Sequence, residues 1–191
     1  MNLGKRMISL RKMTEEDQKP YLRLIGEETG VDMAYMEPFA DIFLGTDNMY
    51  IFSVTDVQTD EYLGYVEVKH TDTKTPELGI SIRREYQGCG IGTEAMRKAA
   101  EYYAANHGME YFLIRMKGFN KASQRMAEKL GAYRIDDEGD MELERIRQLV
   151  AEIDTEESRK IFEDYLKEYS LANENVQRYR YNPSLAKYRI T

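Results

Sequence analysis

The sequence predicts an α/β (α+β) domain built on a mixed, mostly antiparallel central sheet. Three observations predict it. Between Met49 and Ile82, short runs of strand character are joined by short polar turns, the pattern of an antiparallel meander. A glycine-rich loop from Gln87 to Gly92 follows, and beyond it helical and extended periods alternate. The 191 residues are 42% hydrophobic and 32% charged, so the chain has globular composition and no disordered or repeat character. A domain of this size buries about 70% of the surface its unfolded chain exposes, enough for one core without staples.

Arg6 to Arg11 reads as a first strand. Thr14 then offers an N-cap, with Glu15, Glu16 and Asp17 in the first turn. Tyr21, Leu22 and Ile25 give this helix its apolar stripe, and it ends near Gly30. Asp32 to Leu44 reads as a second, shorter helix whose Met33, Met36, Phe39, Ile42 and Phe43 share one face; packing is their simplest use. Met49 to Thr55, Tyr62 to His70 and Glu77 to Ile82 are the meander strands. A helix follows from Thr93, with Ala95, Met96, Ala99, Ala100 and Tyr103 inward and Gly108 as its stop. Tyr111 to Met116 is an apolar strand. Asn120 starts a helix with Ala122, Met126, Ala127 and Leu130 inward, and Gly131 stops it. Ala132 to Asp136 is a further short strand. Two amphipathic helices, about Asp140 to Ala172, form a helical hairpin. Val176 to Tyr181 and Leu185 to Ile190 read as extended. The whole, 1–191, is expected to be one domain carrying that hairpin.

Charge and cysteine usage exclude several functions. The net charge is −7, from 27 basic and 34 acidic residues. Asp136 to Glu168 holds 13 acids and 5 bases, so the remainder is close to neutral. An acidic chain is a poor binder of phosphate backbones, and no nucleic-acid partner is expected. One cysteine excludes a disulfide framework and any multi-thiolate zinc site; no metal is expected. No apolar run nears the roughly 20 residues that span a bilayer, and Met1 to Lys12 lacks the apolar core of a secretory signal. The expectation is a soluble, cytoplasmic protein with no membrane partner. The apolar stripe of the helical hairpin must be buried on its own domain or on a second subunit, which makes a homodimer possible.

Gln87-Gly88-Cys89-Gly90-Ile91-Gly92-Thr93-Glu94 carries the chemistry. Glycines let the backbone take positive φ and let N–H groups approach an anion. The helix N-terminus that follows adds unpaired donors and partial positive charge. Together they suit a pyrophosphate. Three cradles differ in spacing. The Walker string G-x-x-x-x-G-K-[ST] is absent. The dinucleotide G-x-G-x-x-G belongs to a parallel unit, whereas Gly88, Gly90 and Gly92 lie two apart after antiparallel strands. The acyl-coenzyme A loop, Gln/Arg-x-x-Gly-x-Gly/Ala, is matched in register by Gln87, Gly90 and Gly92. Cys89 invites a nucleophile reading, but no histidine is nearby in sequence to activate it.

On this loop, on Asn120-Lys121-Ala122-Ser123 through Glu128-Lys129-Leu130-Gly131-Ala132, and on the element order, the sequence resembles the GNAT N-acetyltransferase superfamily over roughly Lys5 to Asp136. Gly88-x-Gly90-Ile91-Gly92-Thr93-Glu94-Ala95 is similar to the form found in the branch of ribosomal-protein N-terminal acetyltransferases. The resemblance implies a GNAT-like sheet with helices on both faces and a splayed parallel pair, Glu77 to Ile82 beside Tyr111 to Met116. Acetyl-CoA would enter between them as co-substrate. Its pantetheine would pair with Ile80, Ser81 and Ile82, its pyrophosphate would rest on Gln87, Gly88, Cys89, Gly90, Ile91, Gly92 and Thr93, and Asn120 and Ser123 would reach the pantetheine or thioester end. The implied reaction is direct attack by a primary amine, from a protein N-terminus or a small molecule, on the thioester carbonyl. Glu77 is the implied base. Many relatives place an acidic tyrosine seven residues after the asparagine; that position is Ala127 here, and Ser123 is the substitute proton donor. The missing tyrosine and the acidic hairpin keep a second possibility open, an acyl-CoA-binding or partner-binding module with little catalysis.

Overall fold

The computed structural model describes residues 6–30, 48–135, 156, 160 and 176–186. The chain enters on β1 (Ile8–Lys12), α1 (Glu15–Thr29), β2 (Met49–Asp56), β3 (Tyr62–Lys69) and β4 (Glu77–Ile82). After a 3-10 turn at Arg84–Tyr86 come α2 (Ile91–His107), β5 (Phe112–Lys117), α3 (Lys121–Leu130), β6 (Tyr133–Ile135), β7 (Val176–Tyr181) and the single turn α4 (Pro183–Ala186). One sheet holds the strands in the order β1-β2-β3-β4-β5-β7-β6. Every neighbouring pair is antiparallel except β4 and β5, which run parallel. The mixed sheet with helices on both faces is thus the fold read from the sequence.

The two faces bury different helices. Leu78 and Ile82 of β4, Val66 and Val68 of β3, and Phe112 and Ile114 of β5 pack against α2 and α3. The five inward residues expected of α2 are all buried. Each large apolar side chain taken from water on this face contributes about 1.5–3 kcal/mol. On the other face Tyr21, Leu22 and Leu24 of α1 meet Ile51, Tyr62 and Tyr65. The start of α1 is tied by Asp17, whose carboxylate accepts from the Thr14 amide at 3.0 Å and from the Arg11 guanidinium. Burial would raise the Asp17 pKa, but those hydrogen bonds outweigh it and hold it below its ordinary value.

Three details depart from the sequence reading. α2 begins at Ile91, two residues before Thr93, because Glu94 N–H already donates to Gly90 O at 3.1 Å and Ile91 is buried as the anchor of the first turn. In α3, Ala122 is exposed and Gln124 takes the inward place. Its Nε2 donates to Gly118 O at 2.7 Å and its Oε1 accepts from Lys121 Nζ at 3.2 Å, so a polar residue is buried with its bonds made. At the C-terminal end, Leu185 opens no strand. Asn182 Oδ1 accepts from the Ser184 and Leu185 amides at 2.8 and 3.1 Å, and Pro183 starts the helical turn. The helix expected at Asp32 to Leu44 lies outside the described residues, as does the hairpin at about Asp140 to Ala172 apart from Glu156 and Lys160. Among the described residues no helix is long and apolar enough to cross a membrane.

Candidate functional site

The sheet is interrupted at its centre. β4 and β5 share one register pair, Glu77 with Leu113, and the Leu113 amide donates to Pro76 O at 2.9 Å. Beyond that point the ladder stops, although both strands continue. Strand alternation turns the backbone groups of Leu78, Ile80 and Ile82 toward the same edge as Pro76. Ile82 O is taken by Gln87 Nε2 at 2.8 Å. The N–H and C=O of Ile80 meet no β5 ladder partner. An edge of this kind offers pairing to an extended ligand.

The glycine loop closes the wide end of this gap. It is held from below by a small network. Arg83 N–H donates to Leu63 O at 2.9 Å. The Arg83 guanidinium donates to Glu61 Oε1 at 3.1 Å and Tyr62 O at 3.0 Å, and Tyr86 OH donates to Glu61 Oε1 at 2.6 Å. Gly88 and Gly90 have φ of +76° and +84°, and Gly90 is the N-cap of α2 with no side chain to satisfy the first turn. The leading N–H groups of a 17-residue helix are thereby left for a ligand. Gly92 has a different role: a Cβ there would touch Met126 Sδ at 3.4 Å and Ile80 Cδ1 at 3.5 Å, so it sits where α2, α3 and β4 converge. Cys89 is exposed, its thiol 3.5 Å from Gln87 O.

Asn120 and Ser123 stand together at the start of α3, where Asn120 Oδ1 accepts from the Ser123 amide at 3.1 Å. This bond is an ordinary N-cap. Ala127, at the position of the relatives' tyrosine, is fully buried in the core.

Glu77 lies at the closed end of the gap, on the face turned toward α1, and it is buried. Arg115 Nε of β5 donates to its Oε2 at 2.6 Å, and Lys69 Nζ of β3 lies 3.3 Å from its Oε1. Three strands are thereby tied across the point where the ladder fails. Burial alone would lower the Lys69 pKa, but Glu77 and then Glu67 raise it above the ordinary lysine value. Lys69 Nζ also lies 3.3 Å from Glu67 Oε1. Farther along the same face, Ser81 OH donates to Glu28 of α1. Partial desolvation raises the Glu28 pKa, the Ser81 bond opposes the rise and the Glu67 charge adds to it.

The loop and Ile80 to Ile82 thus lie along one gap with Glu77 at its apex, and Asn120 and Ser123 cap the helix whose Met126 meets Gly92. Arg115, Lys69, Glu67 and Glu28 join the site without having been singled out in the sequence. The available signals were the two-residue period that sets Glu67 and Lys69 on one face of β3, and a glycine, Gly79, inside a strand.

Residues 8–133 match the family model described as an acetyltransferase (GNAT) domain. No curated protein matches the chain by sequence. Among solved structures, a domain from Methanocaldococcus jannaschii is similar with a TM-score of 0.63 at 16% identity, covering 93% of this chain and 99% of its own. Spermidine N-acetyltransferase from Vibrio cholerae, in complex with CoA and spermine, is similar with a TM-score of 0.60 at 17% identity, covering 68% and 82%. A dodecameric structure of spermidine N-acetyltransferase from Vibrio cholerae gives a TM-score of 0.62 at 16% identity, covering 96% and 98%.

Proposed function

Because the chain belongs to the GNAT acetyltransferase family, whose reaction is acetyl transfer to an amine, we propose that it is an N-acetyltransferase taking acetyl from acetyl-CoA to a primary amine by direct attack. The observation that carries this reading is the ladder that ends after Glu77 and Leu113 while an uncapped helix start faces the gap. Ile80, Ser81 and Ile82 are the proposed pantetheine edge. Gln87, Gly88, Cys89, Gly90, Ile91, Gly92 and Thr93 are the proposed pyrophosphate cradle. Asn120 and Ser123 flank the arm. Main-chain amides account for most of this binding, and the Ile80 N–H is the proposed oxyanion donor.

α2 covers the face of β4 that carries Leu78 and Ile82. The acceptor therefore approaches from the face carrying Glu77, Gly79 and Ser81. A protonated amine must lose a proton before it attacks, and a carboxylate on that face suits the task. Glu77 fills the role by family resemblance, but its two cationic partners, Lys69 and Arg115, favour a tying role. Ser123 is the proposed donor to the leaving thiolate. Coenzyme A thiolate is a tolerable leaving group, so that donor carries little of the rate.

The acceptor is a small amine or a peptide N-terminus. The glycine-loop motif supports the N-terminus, as in the ribosomal-protein branch, and the fold shared with spermidine N-acetyltransferase supports a polyamine. A module with little catalysis is the second reading, favoured by the buried Ala127 where relatives carry a tyrosine. Self-association as a homodimer is part of the proposal and is read by light scattering.

Acetyl-CoA at about 100 times its Kd should stabilise the chain by roughly 2.7 kcal/mol, which is about 5–10 °C in Tm at this length; nicotinamide dinucleotides should give no shift. Thiol release is then followed with spermidine, glucosamine and an alanine-initiated peptide. Tight acetyl-CoA binding with no release from any of them leaves the module reading standing.

A further inference from the structure

We propose that Glu67 of β3, and not Glu77, is the carboxylate that receives the acceptor's ammonium group and takes its proton, with Glu77 acting as a positioning residue. The inference rests on the acetyltransferase reading above and assigns a group within it.

The ladder between β3 and β4 pairs Glu67 with Gly79. A Cβ built on Gly79 would lie 2.7 Å from Glu67 Cγ and closer still to Oε1. The Glu67 side chain thus lies across β4 at the one residue of that strand without a side chain. Its carboxylate sits over the residue that precedes Ile80, whose N–H points into the gap. No other residue type at 79 admits it without displacement, so the glycine is explained by the carboxylate it accommodates.

The neighbours of Glu67 leave it able to act. Lys69 on its own strand touches it, but that ammonium is shared with Glu77. Arg115 of β5 is directed to Glu77. Tyr65 on the same strand and Tyr21 of α1 lie close enough for the Glu67 charge to push their phenol pKa values up after burial, so both stay neutral hydroxyls. Glu28 of α1 also senses Glu67, and Ser81 is committed to Glu28. β2 contributes apolar Ile51 opposite Glu67. Among the described residues Glu67 therefore has only the shared Lys69 as a cationic partner, where Glu77 has that lysine and Arg115 as well. Its side chain is 17% exposed against 6% for Glu77, so an incoming ammonium can reach it.

The acceptor's ammonium gives one proton to Glu67, which passes it to solvent. The free amine forms the C–N bond at the thioester carbonyl, the C–S bond breaks, Ser123 gives its proton to the coenzyme A thiolate, and the amine's second proton restores the serine. Acetyl-CoA and an ammonium ion give an acetamide, coenzyme A and one proton.

The test uses the full chain and the amine from the three above that wild type acetylates fastest. Glu67→Gln should lower kcat/KM by about 100-fold or more, remove the acidic limb of its pH profile, and leave the acetyl-CoA Kd within about twofold. Glu77→Gln should lower Tm and retain the acidic limb. Gly79→Ala keeps every charge but displaces the Glu67 carboxylate, and should lower kcat/KM at least tenfold with the acetyl-CoA shift intact. Formate added to Glu67→Ala should restore part of the rate. The assignment is overturned if Glu67→Gln keeps the acidic limb, or if Glu77→Gln alone loses it. Failure of the underlying reading looks different: wild type either shows no thermal shift with acetyl-CoA or releases no thiol with any amine, and both ideas then fall together.

Discussion

The two sides of β4 are made of different material. Toward β5 the strand offers its own backbone at Ile80, and the proposed cradle beyond it is main chain from Gln87 to Thr93. Toward α1 it is covered by side chains from four elements: Lys69 and Glu67 from β3, Glu77 and Ser81 from β4, Arg115 from β5, and Glu28 from α1. A main-chain site depends on dihedral angles and tolerates exchange of most side chains. A site of crossed carboxylates and cations depends on each partner, because removing one leaves another buried and unpaired.

The largest effect is expected on the charged side. Arg115→Leu removes the nearest cation from buried Glu77 and should cost about 3 kcal/mol, roughly 6–12 °C in Tm. The shift given by acetyl-CoA should survive in that variant. A melting curve that matches wild type would show that the ion pairs do not hold this face, and the contrast between the two sides would fail.

Next is Gly90→Val on the main-chain side. Nothing lies within 4 Å of a Cβ there, so the cost comes from the backbone at φ +84° alone, about 1–2 kcal/mol. Titration should show acetyl-CoA bound at least about tenfold more weakly, while the rate at saturating acetyl-CoA changes little. Loss of rate without loss of affinity would mean that the loop serves the reaction and not the anion.

The two ends of α1 give a smaller, pH-dependent contrast. The Asp17 pKa lies below its ordinary 3.8, so its contribution is present above that pH and is lost as pH falls through the folded value. Asp17→Asn should lower stability at pH 7 by about 1 kcal/mol, and the gap to wild type should close as pH falls through the folded value, below 3.8. Glu28 behaves oppositely. Its pKa is raised from 4.5, so its contribution is complete below 4.5 and is lost as pH rises through the folded value. Glu28→Gln keeps an oxygen for Ser81 and should raise Tm at pH 8, by less than about 1 kcal/mol, with no gain at pH 4. Parallel Tm–pH curves for the two variants would remove the distinction.

The smallest effect belongs to Cys89→Ala. The thiol is exposed and lies 3.5 Å from Gln87 O, so acetyl-CoA affinity and Tm should stay within error. A large loss would give the cradle a side-chain component that its geometry does not show.

Much of this was legible in the chain. The cap at Thr14, the three meander strands, the inward residues of α2 and the glycine loop before it are local patterns, and each follows from neighbours a few positions apart. Gln124 was not legible, because its burial is justified by the Gly118 carbonyl that the β5–α3 turn brings to it. Glu77 was legible as a glutamate on the right strand and face. Its partners were not, since Lys69 and Arg115 reach it from two other strands.

By itself, the sequence determined the order of the elements and the glycine loop that opens α2, because glycines and a helix start are contiguous in the chain. Only the tertiary structure decided that Glu77 is tied by Lys69 and Arg115 while Glu67 lies over Gly79. That choice depends on the register of β3 against β4 and on the single pair joining β4 to β5, and the pairing of distant strands brings together charges that no local spacing relates.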